Sequence, residues 1–328
     1  MNYKSYIFTE IISTSPVGNV MLKSFVRHHP EETIHVYCTQ DDYSQLDAEV
    51  KGKNITPFFL DEYPEVLGAF RQGHLGTAMV FAMAFGNAVE KGYTHVIHID
   101  SDVFFRKESL SLIALAFEEG YHIAGSRRAY KNNPANIPVA DGIPDAISTY
   151  FTGYSLEYYP KGFTFGQFTK MWQGAYNPLG HEVFDFGDPI CFMMLNHGAK
   201  IKFIESDLIG GQNEAGKKDN KFTLNLHMDC GSHLIHFGGA GSGYVYSKDN
   251  TGKNKSYGEW ALIRWQLFNA VFFGRLHTSG GNTVYGPDGR WVSGGWNDAI
   301  FNEVIKNLST PDNQPISIDN QHSKINNP

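Results

Sequence analysis

Two acidic side chains stand at the end of an apolar run, where they could hold a metal ion. The segment from Thr94 to Phe105 reads THVIHIDSDVFF, and Asp100 and Asp102 close its run of mostly apolar residues. Side chains one residue apart in an extended segment point to the same side, so both carboxylates would face one ligand. Carboxylate oxygens suit hard divalent cations. The alternative is a solvated turn with helix-capping aspartates, because an Asp-x-Asp triplet is expected about once by chance in such a chain.

The elements that must position this pair alternate in type over the first 126 residues. Apolar runs predict strands at 6–12, 33–39, 55–60 and up to Asp100, and then at 121–126; helical spacing predicts helices at 19–28, 74–91 and 110–119. Alternating strands and helices indicate an α/β fold with a mostly parallel central sheet flanked by helices. Ligands of such sheets gather beyond the carboxyl ends of the strands, which is where the two aspartates lie.

The second half of the chain is less regular. Prolines, glycines and tyrosines dominate 127–177, which predicts an irregular lobe over the site; a helix at 189–196, strands at 200–205 and 233–237, and a helix at 257–273 follow. The sequence therefore predicts one domain over 1–307, with halves at 1–126 and 127–307, and a flexible polar tail at 308–328.

Composition narrows the class of protein. The formal net charge of −7 disfavours a protein that coats nucleic acid, although it leaves a nucleic-acid substrate open. The three cysteines are widely spaced and show neither a metal-binding pattern nor a disulfide framework. No apolar run approaches the roughly 20 residues of a membrane span, and the first residues show no signal-peptide pattern. We predict a cytoplasmic protein without a membrane span.

One family shares the order of these features. The segment RQGHLGTA at 71–78, a long helix, and then THVIHIDSD resemble the nucleotide-binding half of glycosyltransferases with the GT-A fold. The resemblance covers roughly 3–243 and implies a GT-A-like enzyme. Such an enzyme moves a sugar from a UDP- or GDP-linked donor to an acceptor hydroxyl, on a glycan or another acceptor, with Mn²⁺ or Mg²⁺ as cofactor. It implies that Asp102 is the principal metal ligand. Asp100 would contact the sugar or ribose, or reach the metal through water.

An acidic residue at a later helix start extends the resemblance. Asp188 matches this position, and Asp185 is a second candidate for the same role. In inverting members of the family this residue is the general base for the acceptor hydroxyl, whereas in retaining members a nearby acidic residue contacts the donor sugar. The residues alone also allow a simple helix start, with Asp188 before Pro189.

A histidine before a glycine-rich segment extends it further. The segment SHLIHFGGAGSG at 232–243 places His236 where many members have a third metal ligand, and His233 is the weaker candidate because it lies at the start of the strand. Gly238 and Gly239 would let backbone amides approach the pyrophosphate.

The resemblance also implies a nucleoside pocket at the strand ends. The residues expected there are polar and flank the base, the ribose or the phosphates: Thr9, Glu10, Thr39, Asp41, Arg71, His74 and Ser101. Two alternatives remain open. A sugar nucleotidyltransferase would carry a glycine-rich, basic loop after the first strand, but the stretch STSPVG at 13–18 has no basic residue before Lys23. A carbohydrate-binding protein would use its aromatic residues and structural Ca²⁺ instead.

Overall fold

A computed structural model of the chain describes the residues that form most of the predicted α/β region. These are residues 3–52, 54–70, 75–127, 147–160, 187–204, 206–209, 226–229 and 233–249, with 265, 268, 269, 272, 284, 285 and 291–293.

The strands alternate with helices along most of the described chain. The strands are β1 (Ser5–Ile11), β2 (Ile34–Cys38), β3 (Ile55–Phe59), β4 (His95–Ile99), β5 (Val103–Phe105), β6 (Ile123–Arg127), β7 (Ile147–Ser155), β8 (Ile201–Ile204), β9 (Ser206–Ile209), β10 (Leu226–Asp229), β11 (Leu234–His236), β12 (Val284–Tyr285) and β13 (Trp291–Ser293). The helices are α1 (Ser15–His28), α2 (Gln40–Ser44), α3 (Pro64–Phe70), α4 (Leu75–Glu90), α5 (Leu110–Glu118), α6 (Asp188–Asn196) and α7 (Ala240–Asp249). Short 3-10 turns cover Leu60–Glu62 and Leu156–Tyr158.

A seven-stranded sheet forms the centre of the molecule, in the order β3-β2-β1-β4-β7-β6-β8. All neighbouring pairs are parallel except those of β7, which runs antiparallel to both β4 and β6. Apolar side chains cover both faces: α1 and α5 pack on one, and α3, α4 and α6 on the other. The predicted α/β class, with a mostly parallel sheet and flanking helices, is confirmed.

Strand β7 corrects the prediction of an irregular lobe over 127–177. Its nine residues, ISTYFTGYS, lie inside the central sheet. They are rich in β-branched and aromatic side chains, which favour a buried strand, and this preference outweighs the surrounding prolines and glycines. The rest of that stretch, apart from Arg127 and 156–160, lies outside the described residues, as does the predicted tail at 308–328.

A second, antiparallel sheet has the order β5-β11-β10-β9. Strand β5 begins directly after Asp102, and β11 ends at His236, which pairs with Val103. This sheet therefore joins the segment after β4 to a segment far along the chain.

Several element bounds differ from the prediction. Helix α1 begins at Ser15 instead of residue 19, with Pro16 in its first turn, where a missing N–H is tolerated. Most of the glycine-rich segment at 238–243 forms the start of α7. Of the helix predicted at 257–273, the residues at 265, 268, 269 and 272 are described and are helical.

Among the described residues, none of the helices is long and apolar enough to cross a membrane.

Candidate functional site

A turn at the carboxyl end of β4 carries both aspartates. The Val103 N–H donates to the Asp100 carbonyl oxygen at 3.2 Å, and the Asp100 N–H donates to the Tyr150 carbonyl oxygen at 2.9 Å. Asp100 and Asp102 therefore do not converge through the pleat of an extended segment, as the sequence suggested. They converge because the chain turns between β4 and β5.

His236 completes a three-residue cluster with the aspartates. Its Nε2 atom lies 3.3 Å from Asp102 Oδ1 and 3.5 Å from Asp100 Oδ2. One potential ligand atom from each residue lies within 4.8 Å of the others. His233 is directed elsewhere, since its Nδ1 donates to the Glu108 carbonyl oxygen at 2.6 Å. Pairing of β5 with β11 thus brings the predicted ligand set together.

The start of α7 orients the carboxylate of Asp102. The Ala240 N–H donates to Asp102 Oδ2 at 3.1 Å, and the Phe237 N–H donates to the Asp102 carbonyl oxygen at 3.0 Å. The amide groups at a helix N-terminus carry partial positive charge, so they attract the Asp102 carboxylate. With Oδ2 held in this way, Oδ1 faces His236.

Two neighbours fix the imidazole of His236. The Tyr150 ring stacks on it, with 4.2 Å between ring centroids and 11° between planes, and the Tyr150 hydroxyl donates to Ser126 Oγ at 2.5 Å. A Cβ atom added at Gly238 would lie 2.8 Å from His236 Cε1, which is too close for any real side chain. Gly238 is therefore needed to make room for the imidazole, a role that differs from the predicted approach to a pyrophosphate.

Charge explains why this cluster suits a cation. Burial alone would lower the pKa of His236, but Asp102 and Asp100 outweigh it and raise the pKa to about 9. The two carboxylates thus favour a positive charge at the imidazole, and a divalent cation can replace that proton. Two carboxylate oxygens and one imidazole nitrogen are a donor set that fits Mn²⁺, and the oxygens fit Mg²⁺.

A second buried group adjoins the cluster through Asp100. His98 is fully buried, and its Nε2 lies 3.1 Å from Glu10 Oε2 and 3.6 Å from Asp100 Oδ1. Burial alone would lower the pKa of His98, but Glu10 and Asp100 raise it above its ordinary value. Sequence reasoning missed His98. The available signal was the position of His98, two residues before Asp100. Side chains alternate along a strand, so the His98 side chain lies on the face of the sheet opposite to Ile97 and Ile99.

The residues predicted to bind the nucleoside and the pyrophosphate lie in the sheet, at the start of α2, in the turn after β4 and before α7. Thr9 is fully buried beside Val36 in the sheet, and its hydroxyl makes no hydrogen bond among the described residues. Thr39 caps α2 by accepting from the Asp42 N–H, and Asp41 Oδ2 accepts from Gln45 Nε2 at 2.8 Å. Ser101 lies in the turn between the two aspartates. Gly239 adopts φ +86°, the left-handed region that favours glycine, just before α7.

Four predicted site residues lie wholly or partly outside the described residues. These are Arg71, His74 and Asp185, together with the side chain of Asp188. The backbone of Asp188 begins α6. Gly187, which precedes it, packs so closely on Thr149 of β7 that an added Cβ would lie 2.3 Å from Thr149 Cγ2. The start of α6 therefore lies beside the strand that also contacts His98 and His236.

Comparisons with known proteins give structural neighbours only. No protein-family model matches the sequence, and no curated protein sequence is significantly similar to it. Mouse xyloside xylosyltransferase 1, in its apo form, is similar with 14% identity and a TM-score of 0.39, over 61% of this chain and 85% of that one.

Two further solved structures are similar at the same level. The galactosyltransferase LgtC, in complex with donor and acceptor sugar analogues, has 15% identity and a TM-score of 0.40, over 66% of this chain and 74% of that one. Core-mannan synthase A from Aspergillus fumigatus, in its Mn/GDP form, has 9% identity and a TM-score of 0.38, over 62% and 73% of the two chains. Because these TM-scores lie below 0.5, the chemistry of the site is inferred from its own residues.

Proposed function

We propose that the chain is a metal-dependent glycosyltransferase, which moves a sugar from a UDP- or GDP-linked donor to an acceptor hydroxyl on a glycan. The observation that carries the proposal is the cluster of Asp100, Asp102 and His236 at the carboxyl edge of the sheet. Open α/β sheets bind their ligands at this edge. A bound Mn²⁺ or Mg²⁺ would neutralise charge on the departing nucleoside diphosphate.

The three ligands have unequal roles in this proposal. The Asp102 side chain is 10% exposed and held by α7, so it is the principal ligand. The Asp100 side chain is 21% exposed, so it can also face the donor sugar and ribose. His236 binds through Nε2, because that nitrogen faces both carboxylates.

The donor would lie across the ends of β1, β2 and β4. These strands are neighbours in the order β2-β1-β4, so Glu10, Thr39 and Asp41 follow one edge next to Asp100. We assign the base and ribose to this edge. Arg71 and His74, which immediately precede α4, are proposed to contact the base or phosphates.

Asp188 has two possible roles, which depend on the stereochemical outcome. If the sugar is transferred with inversion, its carboxylate accepts the proton of the acceptor hydroxyl. If the configuration is retained, Asp188 positions the donor, and Asp185 is the second candidate in either case. Nuclear magnetic resonance of the anomeric proton in the product separates the two roles.

The structure around Ser13 disfavours a sugar nucleotidyltransferase. The Ser13 N–H, just after β1, donates to Asp42 Oδ1 at 2.8 Å. An amide that binds a carboxylate is not available to bind a triphosphate, and the carboxylate itself would repel one. The glycosyltransferase therefore remains the better candidate.

The proposal is tested with a panel of UDP- and GDP-sugars, read by release of nucleoside diphosphate with and without Mn²⁺. We expect release with a subset of donors, only with the cation. Asp102→Asn keeps an acceptor for the Ala240 N–H but removes the charge, so turnover should fall by ~100-fold or more. The control Glu118→Gln makes the same change on an exposed part of α5 and should keep wild-type turnover.

Two results would contradict this function. Full turnover of Asp102→Asn, or turnover independent of metal, would exclude the assigned site. Release of pyrophosphate from a nucleoside triphosphate and a sugar 1-phosphate would instead identify a nucleotidyltransferase.

A further inference from the structure

His98 lies behind the candidate metal ligands, within the central sheet. Its Nδ1 lies 2.7 Å from the Thr149 carbonyl oxygen, and because a carbonyl only accepts, Nδ1 carries a proton and donates it. The Nε2 atom then faces two carboxylates, Glu10 at 3.1 Å and Asp100 at 3.6 Å. The rings of Phe8 and Phe81 approach within 4.9 Å and 4.4 Å between centroids. The imidazole is thus fixed in position and direction.

The two oxygens of Asp100 have different neighbours. Oδ1 lies 3.6 Å from His98 Nε2, whereas Oδ2 lies 3.5 Å from His236 Nε2. A carboxylate that is contacted on one oxygen presents the other in a defined direction. His98 and His236 therefore approach different oxygens of the Asp100 carboxylate.

Glu10 lies close enough to Asp100 for the His98–Asp100 contact to affect where Asp100 points. Its carboxylate lies in one group with the His98 imidazole and the Asp100 carboxylate, and one potential ligand atom of each residue is within 4.8 Å of the others. Two carboxylates this close repel each other, and the His98 ring, with a proton on Nε2 as well as on Nδ1, donates to Glu10 at 3.1 Å and attracts Asp100 at 3.6 Å. Without that donor, Asp100 would be expected to rotate away from Glu10 and misplace Oδ2.

We propose that His98 is a positioning residue that bridges Glu10 and Asp100 and so directs Asp100 Oδ2 toward a divalent cation held with Asp102 and His236. This inference rests on the proposed metal site. Groups that orient metal ligands in this way typically contribute 10–100-fold to metal affinity, roughly the range expected here. His98 itself is not a ligand in this arrangement, so the chain binds one cation at this place.

The test measures Mn²⁺ binding by the full chain, from the electron paramagnetic resonance signal of free Mn²⁺. Two substitutions separate the two ring nitrogens. His98→Asn keeps a donor that can reach Thr149 but not the carboxylates, and its dissociation constant should rise by ~10–100-fold. His98→Gln places an amide N–H near the former Nε2, so its affinity should stay within about 3-fold of wild type.

A matched control lies on the same strand. His95 is also buried in β4, but its ring packs on Phe117, on the other face of the sheet from His98. His95→Gln should leave Mn²⁺ affinity unchanged. Thermal unfolding of each variant reports whether it is folded.

The outcomes distinguish this inference from the proposed function. If the wild-type chain binds no Mn²⁺, the proposed metal site fails and His98 loses its role with it. If the wild type binds Mn²⁺ but folded His98→Asn binds equally well, the metal site stands and the positioning role is wrong. Two bound Mn²⁺, one of them lost in both variants, would make His98 a ligand and overturn the inference. If His98→Asn does not fold, a loss of Mn²⁺ affinity of more than about 10-fold in His98→Gln overturns the positioning role.

Discussion

Gly238 shows how closely one residue can be tied to the candidate site. The imidazole of His236 occupies the space where a side chain at position 238 would begin, and an added Cβ would lie 2.8 Å from Cε1 and 3.2 Å from Nε2. The glycine is therefore needed for packing, independently of any ligand. Since Tyr150 stacks on the same imidazole, the ring cannot move freely to relieve the clash.

We predict that Gly238→Ala weakens Mn²⁺ binding by about 10-fold or more, because the displaced imidazole can no longer align Nε2 with the two carboxylates. The control is Gly86→Ala, in α4, where an added Cβ meets nothing within 4 Å. That change should leave Mn²⁺ affinity unaltered and raise the free energy of unfolding by up to ~1 kcal/mol, because alanine favours a helix more than glycine does. Equal Mn²⁺ affinity of Gly238→Ala and wild type would contradict the assignment of His236.

At the scale of elements, strand β7 organises the site although it supplies none of the proposed ligands. The Tyr150 carbonyl oxygen accepts the Asp100 N–H, and the Tyr150 ring stacks on His236. The neighbouring Thr149 carbonyl oxygen accepts from His98. One antiparallel strand thus contacts Asp100, His236 and His98.

Tyr150 allows the stacking to be tested separately from the hydrogen bond. Tyr150→Phe keeps the ring but leaves Ser126 without this donor, so the free energy of unfolding should fall by about 1–2 kcal/mol while Mn²⁺ affinity stays within about 2-fold. Tyr150→Leu removes the stacked ring, and the Mn²⁺ dissociation constant should rise by ~10-fold. Mn²⁺ titrations and urea unfolding of both variants check this, and equal affinities in the two variants would argue against a role for the ring.

The elements also show how much of the fold and the site the sequence could predict. The first four strands and helix α4 follow from apolar periodicity, because each is a local pattern. The family resemblance implied the grouping of Asp102 with His236, but the β5–β11 pairing that creates it is a long-range contact without a local signal. Strand β7 had a signal in its β-branched and aromatic residues, which the neighbouring prolines and glycines obscured. The contact of His98 with Glu10 depends on which strands are neighbours, so periodicity alone could not reveal it.

At the scale of the whole molecule, three described histidines are buried in a neutral state. Burial lowers the pKa of His29, His35 and His95 to about 4. The Ser109 N–H donates to His29 Nε2 at 3.0 Å, which requires that nitrogen to be unprotonated. The ring of His35 stacks on Tyr6, with 4.0 Å between centroids, and that of His95 packs on Phe117.

These histidines predict a loss of stability in mild acid. Their pKa values in the unfolded chain are near 6.5, so below that pH the unfolded chain binds more protons than the folded one. Their contribution is complete above about pH 6.5 and is lost as the pH falls toward 4. Urea unfolding should show that the free energy of unfolding falls by several kcal/mol as the pH is lowered from 6.5 to 5. His29→Gln keeps an acceptor for the Ser109 N–H but does not titrate. The slope of its unfolding free energy against pH should therefore correspond to about one proton fewer taken up on unfolding. An unchanged slope would show that His29 is protonated in the folded chain.

The pairing of β5 with β11 also has a consequence for the order of folding. Asp102 and Ala240 are 138 positions apart, so their contact closes a long loop, and the entropy of closing it opposes their association until the two strands pair. Strands β1, β2 and β3 pair across only 27 positions (Ile7 with Ile34) and 21 positions (Ile34 with Ile55), so they can associate earlier. During synthesis, the proposed cation site can therefore form only after Ala240 has left the ribosome. A cation that binds only the paired state would stabilise it by about 2.7 kcal/mol at a concentration 100 times its dissociation constant. The metal would then hold β5 and β11 together once these two strands have paired.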